Sequence, residues 1–187
     1  MARGKLVVIS APSGAGKTTI ARAVLAQHPA MVFSVSATTR PIRAGEEEGR
    51  DYFFLTKEEF QRRISAGAFV EWEEIYGHLY GTMVEEVDRA LTGGRQMLFD
   101  VDVKGGLSIK RRYPEACLIF IRPPSIEVLE ERLRARRTED SGTIERRMQR
   151  VPMEMELGNG FDREVVNDDL SRAVAEVNTI VNAYLMN

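Results

Sequence analysis

The stretch Leu6 to Thr19 reads LVVISAPSGAGKTT. Leu6-Val7-Val8-Ile9 has the length and β-branched content of a buried strand, and Thr19 to Gln27, TIARAVLAQ, carries a helical pattern ended by His28-Pro29. The glycine-bearing turn between them therefore joins a strand to a helix N-terminus. Backbone N–H groups lack partners there and the helix dipole favours anions. The amides of Ser13, Gly14, Ala15, Gly16, Lys17 and Thr18 can thus wrap a β-phosphate, with Thr19 next in line. Lys17 can reach the β- and γ-phosphates, and the Thr18 hydroxyl can ligate Mg²⁺. The usual pattern, G-x-x-x-x-G-K-[ST], has glycine where this chain has Ala11. Alanine fits there if φ stays negative, while Gly14 and Gly16 supply the permissive positions.

Working outward, 187 residues allow one substantial core with insertions rather than two full domains. A formal net charge of -2 gives no bulk pull toward nucleic acid or an anionic membrane, so anion binding must come from local basic clusters. Cys117 is the only cysteine, and its setting, ACLIFI, reads as a buried strand. A structural thiol in a reducing compartment follows. No segment approaches the roughly 18 apolar residues of a membrane span, and the N-terminus lacks a secretory apolar region. The expectation is a soluble cytoplasmic protein.

Strand-like runs recur at 32–35, 96–101, 116–121 and 164–166, separated by helical patterns at 84–91, about 104–112, 126–137, 143–157 and 170–185. That alternation predicts an α/β fold with a parallel sheet covered by helices on both faces. Two regions interrupt it. Residues 36–81 contain DYFFL, a capping-box pattern at Thr56 and Glu59, and the run AFVEWEEI, and so read as a small α+β insertion. Residues 125–160 are helical and dense in arginine, which suits a mobile lid. The core is then residues 1–35, 82–124 and 161–187. The closing helical run SRAVAEVNTIVNAYLM suits either a core face or an oligomer contact, and a homo-oligomer stays open.

A phosphate loop alone leaves the reaction open, so the second substrate must be read from the insertions. The run SATTRPIRAGE, Ser36 to Glu46, places Arg40 and Arg43 in a loop after a strand. Planar guanidinium forks match phosphate oxygens bidentately, and Tyr52 and Tyr80 can add phenolic hydrogen bonds. Surface arginines beside a turn are the ordinary alternative, and the phosphate loop upstream tips the balance against it. Glu71, in Phe69-Val70-Glu71-Trp72, falls by strand alternation on the face opposite Val70 and Trp72. A carboxylate can accept from guanine N1–H and N2–H₂ together, which adenine, with an acceptor at N1, cannot reciprocate. Asp102 is placed as a second acceptor. Asp100, after the apolar strand QMLF, is placed like the acidic residue that positions Mg²⁺ or its water shell.

These segments together resemble the guanylate kinase family. The resemblance spans essentially the whole chain and rests on APSGAGKTT, SATTRPIRAGEEEGRDYFF, FVEWEEIYGHLYGT, FDVDVKG, the lid arginines and VVNDDL. It implies a P-loop nucleoside monophosphate kinase fold with an inserted GMP-binding region and a helical lid, using ATP and Mg²⁺ to phosphorylate GMP and its deoxy form. It implies that Ser36, Arg40, Arg43, Tyr52 and Tyr80 hold the GMP phosphate, while Glu71, Thr82 and Asp102 read guanine. Arg136 and Arg147 would clamp the migrating phosphoryl group with Lys17 and Arg43, each beside a second arginine, Arg137 or Arg146. Asn167 and Asp168 would meet the adenine end of ATP, although the approach GNGFDREVVND departs from the family's FDYVVVND form. Two rivals remain. A kinase of this fold acting on a phosphorylated ribose would have no use for guanine-reading carboxylates. A non-catalytic scaffold would generally lack an intact phosphate loop.

Overall fold

The computed structural model describes residues 4–75, 77–135 and 141–186. β1 (Lys5–Ser10) passes through the phosphate loop into α1 (Lys17–Gln27), and β2 (Val32–Phe33) follows. A second region holds β3 (Ala37–Thr38), β4 (Phe53–Phe54), α2 (Lys57–Ser65), β5 (Phe69–Ile75) and β6 (His78–Met83). The chain then continues through α3 (Val84–Thr92), β7 (Gln96–Asp100), α4 (Val103–Arg112), β8 (Cys117–Arg122), α5 (Ile126–Ala135), α6 (Ser141–Gly158), β9 (Arg163–Val166) and α7 (Leu170–Met186). The strand expected at 32–35 ends at Phe33, after which Ser34 N–H still donates to Leu98 O at 2.8 Å. Elsewhere the strand and helix expectations agree with the structure to within a few residues at the described positions.

Among the described residues, five strands form a parallel sheet in the order β2-β7-β1-β8-β9. The alternation within β1 shows why it lies at the centre. Leu6 and Val8 enter a cluster with Phe99, Leu118 and helix residues Val87, Leu91 and Ile109, whereas Val7 and Ile9 enter a cluster with Ile20, Val24, Ile119, Val177 and Val181. A strand buried on both faces needs helices on both sides. α7 turns Ala173, Val177 and Val181 into the second cluster and packs along α1, so this helix faces the core. No helix among the described residues is long and apolar enough to cross a membrane.

Residues 37–83 form the second sheet, in the order β4-β3-β6-β5, around Phe60, Phe69, Leu79 and Met83, with Phe60 stacked on Phe69 at 4.3 Å. Thr56 Oγ1 caps α2 by accepting from Glu59 N–H at 3.1 Å. The Glu59 carboxylate pairs with Arg63 at 2.7 Å instead of completing the capping box.

The approach to β9 has its own anchors. Phe161 packs against Phe120 with ring centroids 5.6 Å apart, and Asp162 Oδ2 accepts from Leu118 N–H at 2.8 Å and from Lys110 Nζ at 2.9 Å. Where α6 ends, Gly158 lies so close to the fully buried Phe120 ring that an added Cβ would meet ring carbons at 2.5 Å. Gly158→Ala should therefore lower stability by about 1–3 kcal/mol through overpacking, read as a fall in Tm. Adding Phe120→Leu, which removes the ring, should recover part of that loss.

Candidate active site

The strand order reverses direction around β1, with β7 on one side and β8 on the other, so a crevice opens outside the carboxyl ends of β1 and β7. The loop after β1 fills it. Gly14 and Gly16 both adopt positive φ, 93° and 94°, as a left-handed turn at these positions requires. Gly16 N-caps α1 without a side-chain cap, which leaves the first amides of the helix directed at the crevice. A cavity of about 530 Å³ lies over them, bounded by Ser13, Lys17, Glu73, Asp102, Arg147 and Glu154.

Asp100, at the end of β7, gathers the polar end of the loop. Lys17 Nζ sits 2.7 Å from its Oδ1 and donates to Val101 O at 2.9 Å, while Thr18 Oγ1 donates to its Oδ2 at 2.8 Å. A threonine hydroxyl and a carboxylate in contact are hard oxygen donors of the kind Mg²⁺ takes, the remaining positions going to water and phosphate oxygens. No group of three His, Cys, Asp or Glu among the described residues is arranged to hold a metal ion, so a metal here would depend on the nucleotide for most of its ligands. The residues present thus fit a nucleotide-borne Mg²⁺ with Thr18 and Asp100 as its protein contacts.

Asn167, at the end of β9, reaches the other flank of the loop. Its Nδ2 donates to Ala15 O at 2.7 Å, and its Oδ1 is buried without a hydrogen-bond partner. It borders a cavity of about 360 Å³ shared with Gly16, Arg132 and Leu170. Asp168 is placed differently, since its exposed carboxylate pairs with Arg172 and accepts from Asp169 N–H.

On the acceptor side, β5 and β6 bring Glu71 and Thr82 together, Thr82 Oγ1 donating to Glu71 Oε1 at 2.6 Å. A register shift between Phe69 and Glu71 breaks the strict alternation that would set Glu71 opposite Val70. Burial raises the Glu71 pKa, the Thr82 hydrogen bond opposes that, and the nearby Asp102 charge adds to it. Asp102 serves two ends at once. Its Oδ1 caps α4 through Gly105 N–H at 2.7 Å, a function the sequence reading missed although Asp directly ahead of a helical run is a preferred cap residue. Gly105 is also the residue that lets Glu71 approach, because a Cβ there would come within 3.2 Å of Glu71 Oε2.

Arg40 and Arg43 border a separate cavity of about 450 Å³ with Ile75, His78 and Tyr80. Both ends of the Arg40 guanidinium are engaged by Glu46, Nη2 to Oε1 at 2.7 Å and Nη1 to Oε2 at 3.0 Å, and the group lies over the Tyr52 ring at 5.2 Å. Glu46 also accepts from Arg43 N–H at 2.8 Å, and Arg40 holds its carboxyl below the usual range. Sequence reasoning missed Glu46, although its place three residues after Arg43 in an arginine-bearing loop was the available signal. Tyr52 and Tyr80 meet edge to face at 6.1 Å, and burial raises the Tyr52 phenol pKa. Ser36 lies just before β3, its carbonyl accepting from Phe53 N–H.

From the lid, Arg147 Nη1 donates to Ser13 Oγ at 2.7 Å, whereas its neighbour Arg146 is exposed and donates to Thr143. Arg136 and Arg137 lie outside the described residues. The sequence reading also passed over Arg150, which crosses to Glu73 at 2.9 Å.

A phosphate loop at the switch point of a parallel sheet, facing a second sheet that carries its own arginine loop, defines the P-loop nucleoside monophosphate kinases. The family model described as guanylate kinase matches residues 3–184. A guanylate kinase of Symbiobacterium thermophilum is 45% identical over 97% of this chain and 86% of its own length, and one of Myxococcus xanthus is 49% identical over 96% and 87%. The crystal structure of guanylate kinase from Anaplasma phagocytophilum superposes with a TM-score of 0.76 at 30% identity, covering 100% of this chain and 89% of that one. The chain belongs to the guanylate kinase family.

The carboxylate cluster carries a stability signature. Burial, helped by the Asp102 carboxyl, pushes Glu73 up to about 7 from 4.5, with Arg150 opposing. Because the folded value lies above the unfolded one, this contribution to stability is full below about 4.5 and is lost as pH climbs through about 7. Glu73→Gln, which keeps a donor toward Asp102 and removes the charge, should melt above wild type at alkaline pH. The gap should close in acid, as followed by thermal melts across the pH range.

Proposed function

We propose that this chain transfers the γ-phosphoryl group of ATP to GMP, giving ADP and GDP, and that it accepts dGMP as well. The observation that carries this reading is a crevice that runs from an uncapped phosphate loop to Asp102, beside which stands a half-buried carboxylate, Glu71, oriented by Thr82. Guanine offers two adjacent donors to such a carboxylate, and a base with an acceptor at N1 leaves it unpaired in a buried site. In this reading Glu71, Thr82 and the Asp102 oxygen that does not cap α4 select the base. Arg40, Arg43, Ser36, Tyr52 and Tyr80 hold the acceptor phosphate, with Glu46 keeping the Arg40 fork in place.

On the donor side the amides of Ser13 to Thr19 cradle the triphosphate, and the buried Oδ1 of Asn167 suits the exocyclic amine of adenine. We assign that contact to Asn167 rather than Asp168, whose carboxylate is taken by Arg172. Mg²⁺, held by Thr18 and Asp100, would neutralise charge on the triphosphate when bound. Transfer needs an acceptor oxygen in line with the γ-phosphorus and no general base, since the accepting phosphate is already ionised. Lys17, Arg43, Arg147 and, by its place in the lid, Arg136 then stabilise the charge of the migrating group. The regions at 36–81 and 125–160 act as moving parts that close over both nucleotides and exclude water, which would otherwise accept the phosphoryl group. The reducing cytoplasm suits the buried Cys117 thiol.

A coupled assay of ADP formation with ATP and Mg²⁺ tests the reading, offering GMP, dGMP, AMP, CMP, UMP and ribose 1,5-bisphosphate in turn. Turnover should be confined to GMP and dGMP, and turnover with the ribose phosphate alone would overturn the base assignment. Glu71→Gln, which replaces an acceptor with a donor, should lower kcat/KM for GMP on the order of 10²-fold or more. Arg147→Ala should lower kcat by about 10³-fold, the scale of a lost phosphate-clamping arginine.

A further inference from the structure

Three side chains of α6 lie along one stripe at i, i+3 and i+7: Arg147, Arg150 and Glu154. The outer two address the phosphate loop. Arg147 donates to Ser13 Oγ at 2.7 Å, and the buried Glu154 carboxylate faces the Ser13 backbone N–H. The middle one turns to the opposite wall. Arg150 Nη2 donates to Glu73 Oε1 at 2.9 Å and reaches Asp102 Oδ2 at 3.5 Å, while its Nε lies 3.5 Å from Glu154 Oε1.

One guanidinium thus stands among three carboxylates contributed by β5, the start of α4 and α6. Removing it would leave the Glu73, Asp102 and Glu154 carboxyls across the cleft between the lid and the acceptor side without the cation that now contacts all three. The oxygen of Asp102 that Arg150 approaches is the one not used to cap α4, and so the one left for a base. α6 is seated on the core by Val151, fully buried in the cluster that also holds Ala11 and Ala15, so apolar packing sets where its axis lies. A contact on the far wall fixes its rotation.

We propose that Arg150, seated on Glu73, is a positioning residue that docks the lid helix against the acceptor-nucleotide wall and so aims Arg147 at the phosphates. The proposal rests on the GMP kinase reading above. It assigns Arg150 no contact with the migrating group. Its consequence is a coupling between the two walls: the lid closes fully only when the acceptor side is in place, which limits transfer of the phosphoryl group to water.

The test compares wild type, Arg150→Gln, Arg150→Lys, Glu73→Ala and the Glu73→Ala/Arg150→Gln double variant in full-length protein. Each is assayed for GMP phosphorylation and, in the same mixtures, for ATP hydrolysed without GDP formed. Arg150→Gln should raise KM for GMP and lower kcat, each by about tenfold, the size of one coupled charge pair. It should also raise the ratio of hydrolysis to transfer, which a merely structural loss would leave unchanged because both activities would fall together. Arg150→Lys should restore part of the loss, and the double variant should be no worse than Arg150→Gln. Wild-type kinetics in Arg150→Gln, an unchanged hydrolysis ratio, or effects of the two single substitutions that simply multiply would each overturn the proposal. A wild-type enzyme silent toward GMP would instead sink the reading beneath it.

Discussion

A helix whose first amides have no side-chain cap, set at the end of a strand buried on both faces, is the constraint on which the rest of this structure depends. β1 cannot shift, because Leu6 and Val8 are locked into one core and Val7 and Ile9 into the other. The loop must therefore turn within a few residues, and it does so through two positive-φ glycines. What results is a turn, closed by Ala15 N–H on Pro12 O, that leaves the first amides of α1 as donors suited to an anion. The surrounding polar groups are arranged about it: Asp100 holds Lys17 and Thr18, Asn167 holds the Ala15 carbonyl, and Arg147 and Glu154 address Ser13.

The acceptor wall follows a different logic, in which carboxylates are kept where water is scarce. Glu71, Glu73 and Glu154 all have raised pKa values, with burial the first cause in each case. Such groups are costly to the fold unless they are paired, and each has a specific neighbour here: Thr82 for Glu71, Arg150 for Glu73 and for Glu154. Carboxyl groups shifted together in one cleft mark it as a candidate functional site. Glu46 shows the opposite case in the outer loop, where a partly exposed carboxylate is pulled down by Arg40 and organises the arginine fork.

α6 joins the two walls. Its stripe of Arg147, Arg150 and Glu154 touches the phosphate loop at Ser13 and the acceptor side at Glu73 and Asp102. These polar contacts flank an apolar one, since Val151 of α6 is fully buried in the same cluster as Ala11 and Ala15 of the phosphate loop.

By itself the sequence determined the phosphate loop, the parallel α/β core and most element positions, because these depend on local signals. Examples are β-branched runs four to six residues long, glycines in register with Lys17, and Thr56 ahead of α2. It also pointed to Arg40, Glu71, Asp100 and Asn167 through motifs that resemble a family. Only the tertiary structure decided what distant segments do to one another. That Arg147 rather than Arg146 meets Ser13 depends on which side of α6 turns toward a residue 134 positions away in sequence. The displacement of Glu71 from simple alternation depends on a bulge set by pairing with β6. Glu73, Arg150 and Glu154 carry no local signature, since charged residues on a strand and a helix are ordinarily solvated. They acquire their parts only when packing brings opposite charges together and takes the water away.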